Sequence, residues 1–380
     1  MPEKPAVVVY CDHLLPVSQT FVLAQGEGLQ QFTPYYVGSR LVKSLTLPTE
    51  RTLAVNRGGV LGWAQEVIYK FWGIAPKLYR WLKQLNPILI HAHFGVGGVL
   101  VLPLKRLLKI PMVVTFHGFD ATVKDEYARR SFYGHRVYIQ RRESLKREVS
   151  LFIAVSEFIK TKLLEQGFPP EKIVVHYIGV DLDKFRPEPN LPREPVVLFV
   201  GRLVEKKGCE YLIQAMTKVQ AAMPDVELVV IGDGPLRSAL EEMATSLLGR
   251  YRFLGPQPPE VVRTWMNRAR VFSVPSITAA SNDAEGFGIV FAEAQAMGLP
   301  VVSFASGGIP EAVAHGKTGF LANEQDSESL AAYILRLLED EALWHCFSQE
   351  GQERVLAMFN LHNQTRRLED IYESVLQGEP

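Results

Sequence analysis

Short apolar runs recur from one end of this 380-residue chain to the other, each followed by a stretch with helical periodicity. PAVVVY, ILIHAHF, PMVVTFHG, LFIAVS and KIVVHYIG occupy the first half; PVVLFVGR, VELVVIGDG, VFSVPS and PVVSFAS occupy the second. Runs that stay rich in Val, Ile and Leu, without alternating with polar residues, suit strands covered on both faces. That is the condition of a parallel sheet flanked by helices. Helical patterns such as Tyr211–Gln220 and Ala331–Leu338 supply the crossovers. The chain is too long for one ordinary core, so the pattern predicts an α/β fold with two sheets in series.

The expected first domain spans residues 1–178 and the second 179–360, with Pro and charge concentrated over Gly179–Pro195. An amphipathic segment, Leu361–Leu376, is expected to return to the first domain. Two Rossmann-like domains facing each other make a cleft at strand C-terminal ends, where ligands bind in such folds.

A hydrophobic content of 47% and a charged content of 22% are those of a soluble globular chain. The N-terminal stretch lacks a long apolar segment with a small-residue cleavage site, and no apolar run reaches the ~18 residues of a membrane span. Cys11, Cys209 and Cys346 are widely spaced and form no CxxC or zinc pattern, which predicts free thiols in a cytoplasmic protein and no metal site. The net charge of zero hides an asymmetry. Residues 1–178 carry 23 Lys and Arg against 13 Asp and Glu, and the remainder carries 18 against 28. The first half therefore faces something anionic, with nucleic acid and an acidic membrane as candidates, or the two domains attract each other.

The segment SNDAEGFGIVFAEAQAMGLPVVSFASGGIPEAV carries the strongest chemical signal. Glu285 and Glu293 stand eight residues apart, one before a glycine-interrupted turn and one inside the helix that follows. A helix N-terminus offers bare amides to an anion, and carboxylates beside it can hold hydroxyl-rich groups. Gly286 and Gly288 permit close backbone approach, with Phe287 and Ile289 supplying neighbouring amides. In VGRLVEKKG, Arg202, Lys206 and Lys207 follow a strand directly and can bracket a diphosphate; a solvated basic loop is the plainer alternative. His91 and His93 alternate along one strand end, which predicts a core role for His91. His117 and Asp120 follow another.

GRLVEKKG, EGFGIVFAE, AMGLPVV and GGIPEAV, together with HAHFG, VVTFHGFD and LFIAVSEFIKTKLLEQGFPPEKIVVHYIGVDLDKF, resemble a family 4 glycosyltransferase of the GT-B fold over nearly the whole chain. LPVSQTFV and VPSITAASNDAEGFG are similar to the bacterial exopolysaccharide branch, of the colanic-acid and amylovoran type. The resemblance implies a retaining transfer from a nucleotide-sugar, a substrate and not a cofactor, without a metal. A UDP-hexose is favoured over GDP-mannose. Arg202 and Lys207 would contact the donor diphosphate, Glu285 the donor sugar, and Glu293 the ribose. The Gly286–Ile289 backbone would bind phosphate and ribose, and Leu254 would border the base. His117 would act across the cleft near the sugar, with His93 and Asp120 beside it. The Gly-Gly loop many members carry after the first strand is replaced by CDHLLPVSQTFV, where Ser18, Gln19 and Thr20 suit a helix cap or a diphosphate or acceptor contact.

The implied acceptor is a glycan or lipid-linked oligosaccharide, not nucleic acid. Arg129 to Glu148 interleaves cations with Phe132, Tyr133 and Tyr138, which predicts an interfacial helix on an anionic inner membrane; a solvated helix bordering the acceptor is the alternative. A sugar-nucleotide epimerase shares this architecture, and a non-catalytic nucleotide-binding scaffold is a further reading. VVIGDGPLR hints at a dinucleotide enzyme, but Gly232-x-Gly234 lacks the third glycine of that fingerprint.

Overall fold

A computed structural model describes residues 4–14, 16, 19–42, 45–131, 133–188 and 191–378. The chain forms two compact units, Met1–Gly179 with Leu361–Pro380, and Val180–Asn360.

The first unit is built on strands β1 (Ala6–Tyr10), β2 (His13–Leu14), β3 (Thr33–Leu41), β4 (Thr52–Asn56), β5 (Leu89–His93), β6 (Met112–Phe116), β7 (Leu151–Ala154) and β8 (Ile173–Val175). They form one parallel sheet in the order β2-β3-β1-β5-β6-β7-β8, with β4 also on β3. The runs read from the sequence become β1, β5, β6, β7 and β8, and their residues are buried almost throughout, because helices cover both faces. The helix Leu361–Gln377 belongs to this unit. Its Leu368, Tyr372 and Val375 pack with Val7, Leu89, Val113 and Leu151. Glu369 accepts from the amides of Gln30 and Gln31, each at 2.6 Å. Gly179 is required where the outgoing chain meets the returning one, since a Cβ there would stand 2.6 Å from the Leu361 Cα.

The second unit contains β9 (Val196–Val200), β10 (Glu227–Ile231), β11 (Tyr251–Gly255), β12 (Val271–Phe272), β13 (Val301–Phe304) and β14 (Gly319–Ala322), parallel in the order β11-β10-β9-β12-β13-β14. This is the doubly wound order. The sheet grows one way from β9 to β11, then the chain returns to the other side of β9 for β12 to β14. The strand order reverses between β9 and β12, and the carboxyl ends of these two strands border the crevice in which such sheets bind ligands. Gly232 and Gly234 have a structural task that explains them without a dinucleotide. A Cβ on Gly232 would stand 1.9 Å from the Gly201 carbonyl oxygen, and one on Gly234 would stand 2.3 Å from that of Leu203. The Leu203 amide donates to the Asp233 carbonyl at 2.9 Å, which fixes the loop after β9 against the end of β10.

Among the described residues no helix is long and apolar enough to cross a membrane. Cys11 and Cys209 are buried free thiols, and Cys346 is exposed.

Candidate active site

The loop after β9 carries Arg202, then a single 3₁₀ turn, Glu205–Lys207, that sets two lysines side by side. Gly208 closes the turn at φ +61°, and a Cβ there would meet the Pro275 carbonyl oxygen at 1.9 Å. That contact draws the β9 loop onto the loop after β12, and the charges pair across it. Lys206 Nζ donates to Asp283 Oδ1 at 2.9 Å, and Lys207 Nζ to Glu285 Oε2 at 2.5 Å. Burial would raise the Glu285 carboxyl, but Lys207, Lys206 and Arg202 outweigh it and hold the group down to about 2. Arg202 itself is exposed. Glu285 is therefore a permanent carboxylate near neutral pH. It can accept hydrogen bonds and stabilise positive charge, and it cannot serve as a general acid.

Three segments hold Glu285 in place. Gly288 takes φ +78° at the start of the helix Ile289–Ala296, whose first-turn amides have no partner inside the helix. Phe287 is buried with its ring 5.0 Å from that of Phe359. The loop after β13 supplies Gly307 and Gly308: the Gly308 amide donates to the Glu285 carbonyl at 2.8 Å, and Gly307 lies at φ +55°. A Cβ on Gly307 would stand 2.3 Å from the Glu285 carbonyl oxygen. The second glycine pair of the motif is thus a buttress for the first.

Glu293 lies within the same helix and forms no ion pair among the described residues. Burial raises its carboxyl to about 7, with only Arg263 pulling the other way. The two glutamates are thereby separated by environment, one ionised and one poised to change charge. Leu254 lies near the end of β11, where its carbonyl accepts from Gln257 Nε2 at 2.6 Å, and the neighbouring Gly255 carbonyl accepts from the Gly232 amide at 3.0 Å.

In the first unit, His91 is a satisfied core residue, with Nδ1 2.6 Å from the Tyr372 hydroxyl and Nε2 2.7 Å from Thr115 Oγ1. His93 Nδ1 lies 3.0 Å from His117 Nε2, and the rings stack at 5.3 Å. Burial pushes His93 down to about 3 and His117 well below its usual value, so both rings are neutral and one donates its N–H to the other. His117 Nδ1 is buried without a partner among the described residues. A bare buried imidazole nitrogen is costly until a ligand or water pairs it.

Asp120, beside His117, has both carboxylate oxygens engaged by backbone amides. Its Oδ2 accepts from the Gly95 amide at 2.8 Å, and its Oδ1 from Gly118 at 3.1 Å and His117 at 3.3 Å. It ties the loop after β5 to the loop after β6 and so positions His117. Gln19 occupies the N-cap of the helix Thr20–Glu27 but makes no side-chain cap bond; its amide arm is longer than that of the usual capping residues, and its Oε1 is buried without a partner among the described residues. Thr20 is exposed at the first helical position, and Ser18 lies outside the described residues. The residues missed from sequence are Lys206 as a paired group and its partner Asp283. The available signal was Lys206-Lys207 against Asp283-x-Glu285, two cations and two acids of matching count.

With the geometry in view, the family models divide the chain between them. That for glycosyl transferases group 1 matches residues 181–354, and that for glycosyltransferase family 4 matches residues 41–184. The amylovoran biosynthesis glycosyltransferase AmsK of Erwinia amylovora is 33% identical over 287 residues, 74% of this chain and 69% of that protein. The chain belongs to the family 4 glycosyltransferases. This glycosyltransferase is also 32% identical over 295 residues to the putative colanic acid biosynthesis glycosyltransferase WcaL of Salmonella typhimurium, covering 75% of this chain and 70% of that one. Its fold is GT-B, shared with Anabaena HepE, solved with UDP and glucose, at a TM-score of 0.77 and 22% identity over 97% of this chain and 100% of that one.

Proposed function

We propose that this glycosyltransferase moves a hexosyl group from a nucleoside diphosphate sugar to a hydroxyl of a glycan or lipid-linked oligosaccharide, with anomeric configuration retained, in the assembly of a cell-surface polysaccharide at the inner face of a membrane. The carrying observation is the Lys207–Glu285 pair beside exposed Arg202 at the crevice of the second sheet. The naming of AmsK and WcaL for amylovoran and colanic acid supports the polymer class, and the UDP bound by HepE supports a UDP-hexose ahead of GDP-mannose.

The barrier lies in parting a diphosphate from an oxocarbenium-like sugar. Lys207 spends one of its N–H groups on Glu285 and offers the others to phosphate oxygens. Arg202 adds a charge that no acid neutralises at hydrogen-bonding distance among the described residues, and the amides at the start of the Ile289–Ala296 helix add their dipole. Glu285, held ionised, accepts from sugar hydroxyls and faces the developing positive charge. A carboxylate bonded to a lysine is a poor nucleophile, which favours same-face attack with the departing phosphate taking the acceptor's proton. In the first unit, the buried Nδ1 of His117 would take an oxygen of a bound ligand. These groups supply the charge stabilisation without a metal.

The test is nucleotide release from UDP-glucose, UDP-galactose, UDP-GlcNAc and GDP-mannose, with and without a lipid-linked sugar. The expected result is release that depends on acceptor, survives a chelator, and yields a product with the donor's anomeric configuration. Conversion of donor alone would establish an epimerase, and an inverted product would end the retaining reading.

Ribose hydroxyls donating to Glu293 would select its carboxylate form, so donor binding should be linked to proton release. Because the free group titrates at about 7, UDP affinity should fall toward tenfold for each pH unit below that point and level off above it. Calorimetry across the range should show that slope in the native protein, and Glu293→Gln should flatten it. An unchanged slope in the variant would remove Glu293 from the ribose.

A further inference from the structure

The helix Gly59–Trp72 in the first unit is amphipathic with its faces reversed. Its polar side points inward: buried Glu66 accepts from Arg40 Nε at 2.8 Å and Asn56 Nδ2 at 2.6 Å, and Lys70 Nζ pairs with Glu66 and Asp12, each at 2.9 Å. Its apolar side meets solvent. Val60 is 85% exposed, Leu61 72%, Trp63 57%, Phe71 46% and Trp72 67%. Val60, Ala64, Val67 and Phe71 recur at four, three and four residues, one continuous stripe. Ile74, just beyond the helix, is 53% exposed.

Cations surround this stripe and acids are missing from it. Residues 57–109 contain eight Lys and Arg against one acid, the buried Glu66. Arg57 precedes the helix and is exposed, as are Lys77, Arg80 and Lys83 in the helix Pro76–Leu85 that follows it. Arg141 Nη2 lies 3.4 Å from the Phe71 carbonyl, and Tyr133 stacks on the Phe71 ring at 4.2 Å.

The basic-aromatic stretch Arg129–Glu148 does not itself form an interfacial helix. Its described residues are helical on both sides of Phe132, which itself lies outside the described residues, but Tyr138 is buried and Arg142 is paired with Asp125. It flanks the apolar stripe at Tyr133 and Arg141.

From the apolar stripe and its cationic surround we infer that the helix Gly59–Trp72 lies in the surface of an anionic phospholipid bilayer, with its outer side chains among the acyl chains and the neighbouring Arg and Lys on the headgroups. An apolar face with tryptophans and a basic surround suits that interface, and a lone soluble surface has no reason to keep it. This docking face rests on the reading of a lipid-linked acceptor and gives that acceptor a site of delivery.

The test is flotation of the full chain with vesicles of phosphatidylcholine containing about one-third phosphatidylglycerol, with UDP binding measured on the same preparation. The native protein should float at low salt and progressively less as salt rises. Val60→Ser with Leu61→Ser and Trp72→Ser, all at side chains turned outward, should reduce flotation at least about tenfold and leave UDP binding intact. Arg80→Gln with Lys83→Gln should erase the preference for anionic over pure phosphatidylcholine vesicles. Equal flotation of the native and serine variants, or no flotation of the native protein while UDP still binds, overturns the docking face. Conversion of a native dimer to a monomer by the serine changes also overturns it, and assigns the stripe to a second copy. Flotation without binding of any nucleotide would sustain the docking face and overturn the transferase reading.

Discussion

Lys207→Met should lower the transfer rate by about 10²–10³-fold, the loss expected when a fixed charge stabilising a leaving group is removed. It should also cost stability, because it leaves Glu285 buried without its nearest cation. The carboxyl is held at about 2 against 4.5 for an unperturbed group, which corresponds to on the order of 3 kcal/mol. Its pKa is depressed in the folded state, so this stabilisation is present above about 4.5 and is lost as pH falls toward about 2. Denaturant melts should therefore show a gap between native and Lys207→Met proteins at neutral pH that narrows in acid. Adding Glu285→Leu should restore much of the stability, since an apolar pair replaces a stranded charge, and none of the activity. A double variant that recovers turnover would make the pair structural alone.

Gly307→Ala should be comparably damaging to activity through geometry alone. The added methyl would meet the Glu285 carbonyl oxygen at 2.3 Å and its amide nitrogen at 3.1 Å, at φ +55°. Either the loop after β13 withdraws or Glu285 moves. A shift near 1 Å at a reacting centre costs about 10²-fold, and the left-handed backbone adds ~1–2 kcal/mol of instability. Gly316→Ala is the control: φ is +74° but nothing lies within 4 Å, so it should cost stability and leave turnover alone. Equal kinetic effects of the two substitutions would dismiss the buttress.

Much of the architecture was legible because buried parallel strands announce themselves as unbroken apolar runs. β2, β3, β4, β11 and β14 were not. β3 carries Pro34 and Gly38 within it, β4 lies against β3 alone, and β14 is only four residues long. At the site, Lys207 and Glu285 could be named separately, but the Lys206–Asp283 bond joins residues far apart in sequence, and only the matching count of cations and acids in the two motifs hints at it. Asp120 was visible as a polar group after a strand, while its use by three amides depends on where the loop after β5 comes to rest. The reversed helix Gly59–Trp72 shows the limit most sharply. Periodicity reveals a stripe but not which side faces in, and here Arg40 and Asn56 on the adjoining strands decide it.

The placement of Leu361–Gln377 bears on how the molecule is made. His91 shares a hydrogen bond with Tyr372, His176 one with the Gln364 carbonyl, and Glu369 two with Gln30 and Gln31, so the earliest-translated half lacks core groups until the ribosome has passed residue 377. The later half, Val180–Asn360, needs nothing from that segment within its own sheet and is able to finish first. During synthesis the outward-facing tryptophans of the first half would be carried on an unfinished body, a period in which chaperones or the membrane itself have access to them.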